Sequence, residues 1–203
     1  MLLLVGLGNP GPKYARNRHN VGFLALDSIV ARHAFSKYRR RFHGHVAEGS
    51  LDGRRTLALK PGTYVNRSGQ AVQAARAYYR IAAGDIVVFQ DEIDLIAGKM
   101  RVKRGGGHAG HNGLRSIDAH IGADYRRVRI GVGHPGDKRV VRRHVLDDFA
   151  KADDRWLAPL LEAIADAAPF LARDDDAGFS NEVARRLQPP RPRARDEAGA
   201  APD

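Results

Sequence analysis

The chain has 203 residues, 43% of them hydrophobic, and no cysteine. That size suits one globular domain with a sizeable core, and the missing cysteines exclude disulfides, zinc–thiolate sites and a cysteine nucleophile. A formal net charge of +11 points toward nucleic acid, and its distribution sharpens the point. Between Lys13 and His43 eight Lys or Arg stand against one acid, Asp27, and between Lys99 and Arg143 twelve stand against three. From Asp147 to Asp176 the sign reverses, with nine acids and three Lys or Arg.

In chain order, Leu2 to Leu7 is an apolar run ended by Gly8-Asn9-Pro10-Gly11, which predicts a buried strand and a turn. The run is short and lacks a basic leader, so it reads as a strand and not a signal peptide. No stretch approaches the roughly 18 apolar residues of a membrane span. A cytoplasmic, non-membrane protein is expected. Val21, Leu24, Ala25 and Ile29 recur at helical spacing within 17–33, with Asn17 as a candidate cap. A basic stretch follows, Lys37 to Arg41. Strands over 43–50 and 54–60 flank the hairpin signal Asp52-Gly53. A helix is predicted over 68–79, a buried strand over 85–90 and a short strand over 99–103. Gly105-Gly106-Gly107 opens a loop, followed by a helix over 114–121 and a strand over 125–132. Trp156, Leu157, Leu160, Leu161, Ile164 and Leu171 form one helical stripe, expected to break near Pro169. Residues 182–187 close the fold. Alternating strands and helices with a hairpin predict a single-domain three-layer α/β/α fold with a mixed twisted sheet over 1–188. A disordered Pro-, Arg- and Ala-rich tail over 189–203 is expected.

Some motifs are deceptive. Gly6-Leu7-Gly8-Asn9-Pro10-Gly11 matches the dinucleotide fingerprint G-x-G-x-x-G, but Pro10 and Pro12 bracket its third glycine. The ribose-binding acid expected after the next strand is also missing. There is no P-loop and no G-x-S-x-G elbow. His108 and His111 lie three apart in a glycine loop, and His43 and His45 are expected on one strand face; solvated surface is the reading for both pairs.

What remains is polar residues at element ends: Asn9 after the first strand, His19 at the start of the first helix, Asp91 ending the strand over 85–90, and Asn66 and Asn112 before helices. Ligands of α/β sheets sit at strand carboxyl ends. Taken singly, each asparagine reads as a cap or turn residue before it reads as a site residue. Taken together they admit a His–Asp hydrolase with a basic substrate face.

The motifs VGLGNPG, RHNVGF, KPGTYVN, VFQDEIDL, GGGHAGHNGL and RIGVGHPG occur in this order. In them the chain resembles the bacterial-type peptidyl-tRNA hydrolases over about 2–187. The resemblance implies a cytoplasmic monomer that cleaves the ester joining a peptide to the 3′ ribose of tRNA, without metal or organic cofactor. It implies that His19 activates water, Asp91 orients His19, and Asn9 distinguishes blocked peptidyl-tRNA from free aminoacyl-tRNA. Tyr14, Tyr64, Asn66 and Asn112 match positions that contact the peptide and 3′ end. Lys103 and Arg129 match a clamp on the 5′ phosphate beside the acceptor stem. Val65 stands where the family usually has Met, Gln90 where a His is common and Tyr64 where Phe is common. The rival reading is a non-catalytic RNA-binding protein on the same scaffold.

Overall fold

A computed structural model describes residues 1–188, so the tail expected over 189–203 lies outside the described residues. The strands are β1 (Leu2–Gly6), β2 (Arg39–Arg41), β3 (Gly44–Leu51), β4 (Arg54–Pro61), β5 (Ile86–Glu92), β6 (Met100–Arg104) and β7 (Arg126–Gly131). They form one sheet in the order β2-β3-β4-β1-β5-β7-β6. β4, β1, β5 and β7 run parallel, and β2, β3 and β6 are antiparallel to their neighbours. The sheet is therefore mixed, as the hairpin signal at Asp52-Gly53 requires.

The helices are α1 (Val21–Arg32), α2 (Ser68–Tyr79), α3 (Asn112–Ile121), α4 (Val141–Leu146), α5 (Asp154–Ala172) and α6 (Asp176–Arg186). The central strands are apolar on both faces, as strands between two helix layers must be. Leu2, Leu4, Val87, Phe89, Val128 and Ile130 face α1 and α5. Leu3, Val5, Val88 and Leu59 face α2 and α3. Among the described residues no helix is long and apolar enough to cross a membrane.

Four local expectations need correction. The segment 17–33 is not one helix: a 3-10 turn at Arg18–Asn20 precedes α1, and Asn17 makes no cap. Its side-chain amide donates instead to Asp148 Oδ1 at 2.8 Å. His43 does not share a strand face with His45, because it sits in the turn between β2 and β3. The arginine run over 39–41, read only as a basic stretch, is edge strand β2. Finally, α5 continues through Pro159 and Pro169. Pro169 cannot donate to the carbonyl four residues back, Ala165. His33 Nε2, on the residue that ends α1, lies 2.7 Å from that oxygen and satisfies it, so the helix keeps its course.

Candidate active site

The site grows from the carboxyl edge of β1 and β5. α1 starts close against these strands because position 22 is glycine: a Cβ at Gly22 would collide with the Phe89 carbonyl and the backbone of Leu7. This approach sets the 3-10 turn before α1 directly over the end of β5. The turn is also held from outside. Arg18 N–H donates to the Asp147 carbonyl at 3.1 Å, and the Arg18 guanidinium donates to the Asp148 carbonyl at 2.9 Å. The linker between α4 and α5 thus anchors the residue next to His19.

His19 and Asp91 meet as the motifs imply. His19 Nδ1 lies 2.8 Å from Asp91 Oδ1, and both residues are buried, Asp91 to 4% exposure. A second imidazole completes the cluster. His111 Nε2 lies 3.0 Å from the same Oδ1, and the two rings pack at 4.9 Å between centroids. His111 is therefore no solvated loop residue, which corrects the expectation from sequence. It caps α3: its Nδ1 accepts from Gly113 N–H at 3.1 Å and Leu114 N–H at 3.4 Å. The helix expected over 114–121 starts at Asn112, which puts His111 at the cap position, where a side-chain acceptor is wanted.

These partners fix the tautomers. An ionised carboxylate only accepts, so His19 donates from Nδ1 and keeps Nε2 as a free base. His111 accepts at Nδ1 and donates from Nε2. Burial pushes the His19 pKa down, but the charge of Asp91 and its hydrogen bond outweigh this, and the pKa ends up raised. Burial pushes Asp91 up, yet the charges and hydrogen bonds of His19 and His111 hold its carboxyl well below the usual carboxylate range. One donor atom from each of His19, Asp91 and His111 lies within 4.8 Å of the others, a spacing that a metal ion could also use. Without one, the three groups already satisfy each other.

Asn9 is held beside the pair by two reciprocal bonds. Its N–H donates to Asn20 Oδ1 and its carbonyl accepts from Asn20 Nδ2, both at 2.9 Å. Asn20, which sequence reasoning did not single out, works here as a brace and not as a helix cap. Val65 N–H donates to Asn9 Oδ1 at 2.9 Å, which leaves the Asn9 NH₂ as the side chain's available end. Val65 itself is buried against Gly113 and Leu7. Tyr14 and Tyr64 meet edge to face at 6.5 Å, and Tyr64 is 58% exposed. Asn66 and Asn112 together line an adjoining pocket with Arg115 and Ser116. Asn112 is not ahead of α3 but its first residue.

Lys103 and Arg129 share one face of β6 and β7, at diagonal positions: Lys103 pairs with Arg127 and Arg129 with Arg101. The Arg129 guanidinium donates to Glu92 Oε2 at 2.8 Å, and Arg127 is taken by Gly107 O and Asp118. Lys103 and Arg101 have no ion-pair partner among the described residues.

A parallel-centred α/β sheet with a buried His–Asp pair at its carboxyl edge is the framework of an α/β enzyme able to use general-base chemistry. A family model described as peptidyl-tRNA hydrolase matches residues 3–190, and the chain belongs to that family. A peptidyl-tRNA hydrolase from Bradyrhizobium sp. is 57% identical over 201 residues, covering 99% of this chain and all of the relative. One from Parvibaculum lavamentivorans is 60% identical over 190 residues, covering 93% of each. The crystal structure of peptidyl-tRNA hydrolase from Acinetobacter baumannii superposes with a TM-score of 0.85 at 37% identity, covering 90% of this chain and 94% of that one.

Proposed function

We propose that this protein hydrolyses the ester between the peptide and the 3′ ribose of peptidyl-tRNA, with His19 as general base, and so recycles tRNA from aborted translation. The observation that carries the roles is the His19 Nδ1–Asp91 Oδ1 contact of 2.8 Å, which commits Nδ1 as donor and leaves Nε2 unprotonated. Water attacks the ester carbonyl as Nε2 takes one of its protons. The tetrahedral intermediate then collapses, and the departing 3′ oxygen recovers that proton as a hydroxyl. Asp91 stays ionised and stabilises the transient imidazolium. Base assistance of this kind contributes about 10²–10⁴-fold.

Asn9 selects the substrate. Its Oδ1 is occupied by Val65 N–H, so it presents only N–H donors. A blocked peptide offers a carbonyl oxygen to them. A free α-ammonium offers only more donors and is rejected, because a buried donor without an acceptor costs about 1–3 kcal/mol. Tyr14, Tyr64, Asn66 and Asn112 carry the peptide and the terminal nucleotide, with Tyr64 open for stacking on a base. Lys103 and Arg129 hold the 5′ phosphate of the acceptor stem, where Glu92 fixes the Arg129 guanidinium in direction. The protein acts as a monomer in the cytoplasm.

The test is release of tRNA from N-acetyl-aminoacyl-tRNA and from its unblocked counterpart, with EDTA present. Cleavage confined to the blocked ester is expected. Binding of tRNA without cleavage would move the protein to the RNA-binding class, and loss of cleavage on adding EDTA would assign an ion to the His19, Asp91 and His111 cluster.

A further inference from the structure

A second cationic feature lies across the site from Lys103 and Arg129. In the sheet order, β2, β3 and β4 lie to one side of β1, whereas β7 and β6 lie beyond β5 on the other. At the carboxyl edge of β4 an open pocket of about 510 Å³ is lined by Arg40, Arg41, His43, His45, Gly62 and Thr63. None of Arg40, Arg41, His43 and His45 has a carboxylate partner among the described residues, although neighbouring Arg39 and Arg55 both pair with Glu48. Within β2, β3 and β4, where Arg54 pairs with Asp85 and Lys60 with Asp27, the basic side chains without a carboxylate are those of the pocket wall.

The turn that builds the pocket is strained. Arg41 pairs with Gly44, so Phe42 and His43 are the two central residues of a two-residue hairpin. Both have positive φ, 52° and 53°. Such turns ask for Asn-Gly, and bulky residues held there cost about 1–3 kcal/mol each. Arginines alone would protect the edge of β2 from pairing with other chains; they do not require this turn. What the turn achieves is placement. Phe42 packs on Tyr78 and Tyr79 at 5.4 and 5.8 Å. Arg41 lies 4.5 Å from the Phe42 ring and 4.2 Å from the Tyr78 ring, with a 3.0 Å bond to Tyr79 Oη. Arg41 is thereby fixed as part of the wall, while Arg40 and His43 remain exposed at the rim.

The pocket adjoins the peptide side of the site. Thr63 precedes by two residues Val65, whose N–H holds Asn9. Two residues of chain span at most about 7 Å, so an extended peptide leaving Asn9 reaches the pocket within two or three residues. Resting on the reading of this protein as a peptidyl-tRNA hydrolase with its RNA clamp on β6 and β7, we infer that the pocket is a subsite for acidic side chains of the peptide, giving preference to peptidyl-tRNAs that carry Asp or Glu two to three residues from the ester.

The experiment compares two N-acetylated tripeptidyl-tRNAs on one tRNA, with Asp or the isosteric Asn as the residue farthest from the ester, at low salt. The wild type should favour the Asp substrate by about 3- to 5-fold in kcat/KM, through KM, the scale of a partly exposed ion pair. Arg40→Gln should erase this preference and leave the Asn substrate unchanged. His43→Asn, which accepts positive φ more readily than His, should reduce it while preserving the hairpin. Equal cleavage of both substrates by the wild type overturns the subsite and leaves the hydrolase reading intact. Cleavage of neither overturns both. Equal weakening of both substrates by Arg40→Gln also overturns it and assigns the pocket to RNA.

Discussion

Two loops each deliver one imidazole to the same carboxylate oxygen, and they do so with opposite ring atoms. His19, from the turn before α1, uses Nδ1 and leaves Nε2 free; His111, from the loop before α3, uses Nε2 and spends Nδ1 on the amides of Gly113 and Leu114. The two rings are near neighbours at 4.9 Å and share one partner, yet only His19 retains a basic nitrogen. The difference teaches that the backbone, through the needs of a helix terminus, decides which histidine keeps a ring nitrogen free to accept. His111 serves as a support that joins α3 to Asp91.

The largest test of this contrast is truncation of each ring in turn. His19→Ala should lower single-turnover cleavage of N-acetyl-aminoacyl-tRNA by about 10²–10⁴-fold with tRNA binding retained, measured by rapid quench and filter binding. A loss of binding equal to the loss of rate would break the assignment. Next in size is the selectivity that depends on the fixed amide. Asn9→Asp replaces the available donor with an acceptor while another oxygen can still take Val65 N–H, so the preference for blocked over unblocked substrate should shrink by about 10- to 100-fold. An unchanged ratio would remove Asn9 from substrate reading. His111→Ala should be milder in rate than His19→Ala and should cost about 1 kcal/mol of stability, the usual worth of a helix cap, read by urea denaturation. A rate loss equal to that of His19→Ala, with stability unchanged, would mean that both rings act on the reaction.

The same pair of histidines marks where the sequence was legible. Asn9 follows β1 and Asp91 is the penultimate residue of β5, and strand ends of α/β sheets are where chemistry collects, so β1 and β5 announce these residues through their apolar runs. His19 became a candidate only with its neighbours, and its motif carried it the rest of the way. His111 was lost because Gly105-Gly106-Gly107 and Gly110 around it resemble an exposed loop. Its burial depends on α3 packing under Val65 and Leu7, which local pattern does not contain. Asn20 was missed for the same reason, since its partner Asn9 is eleven residues away. Pro169 misled in the other direction: proline predicts a broken helix, and the donor that keeps α5 whole, His33, comes from the end of α1. Edge strand β2 has only three residues, all arginine, and no apolar alternation to reveal it. Lys103 and Arg129 were singled out by motif, but the ion pair that orients Arg129 through Glu92 becomes visible only when β5 and β7 are side by side.

The most direct test of the central claim is the pH dependence of kcat/KM for N-acetyl-aminoacyl-tRNA in the wild type and in Asp91→Asn. A base must be unprotonated to act, so activity should rise with pH through the His19 pKa. Asp91 raises that pKa, which places the midpoint above the ordinary histidine value of about 6.5. Removing the charge leaves burial, which lowers the pKa, as the main influence. The acidic limb should therefore move to lower pH in Asp91→Asn even as the plateau falls by about 10²-fold or more with the tautomer no longer fixed. A wild-type profile without an acidic limb, or a limb that stays in place when Asp91 is neutralised, would contradict the account of His19 as a base held by Asp91.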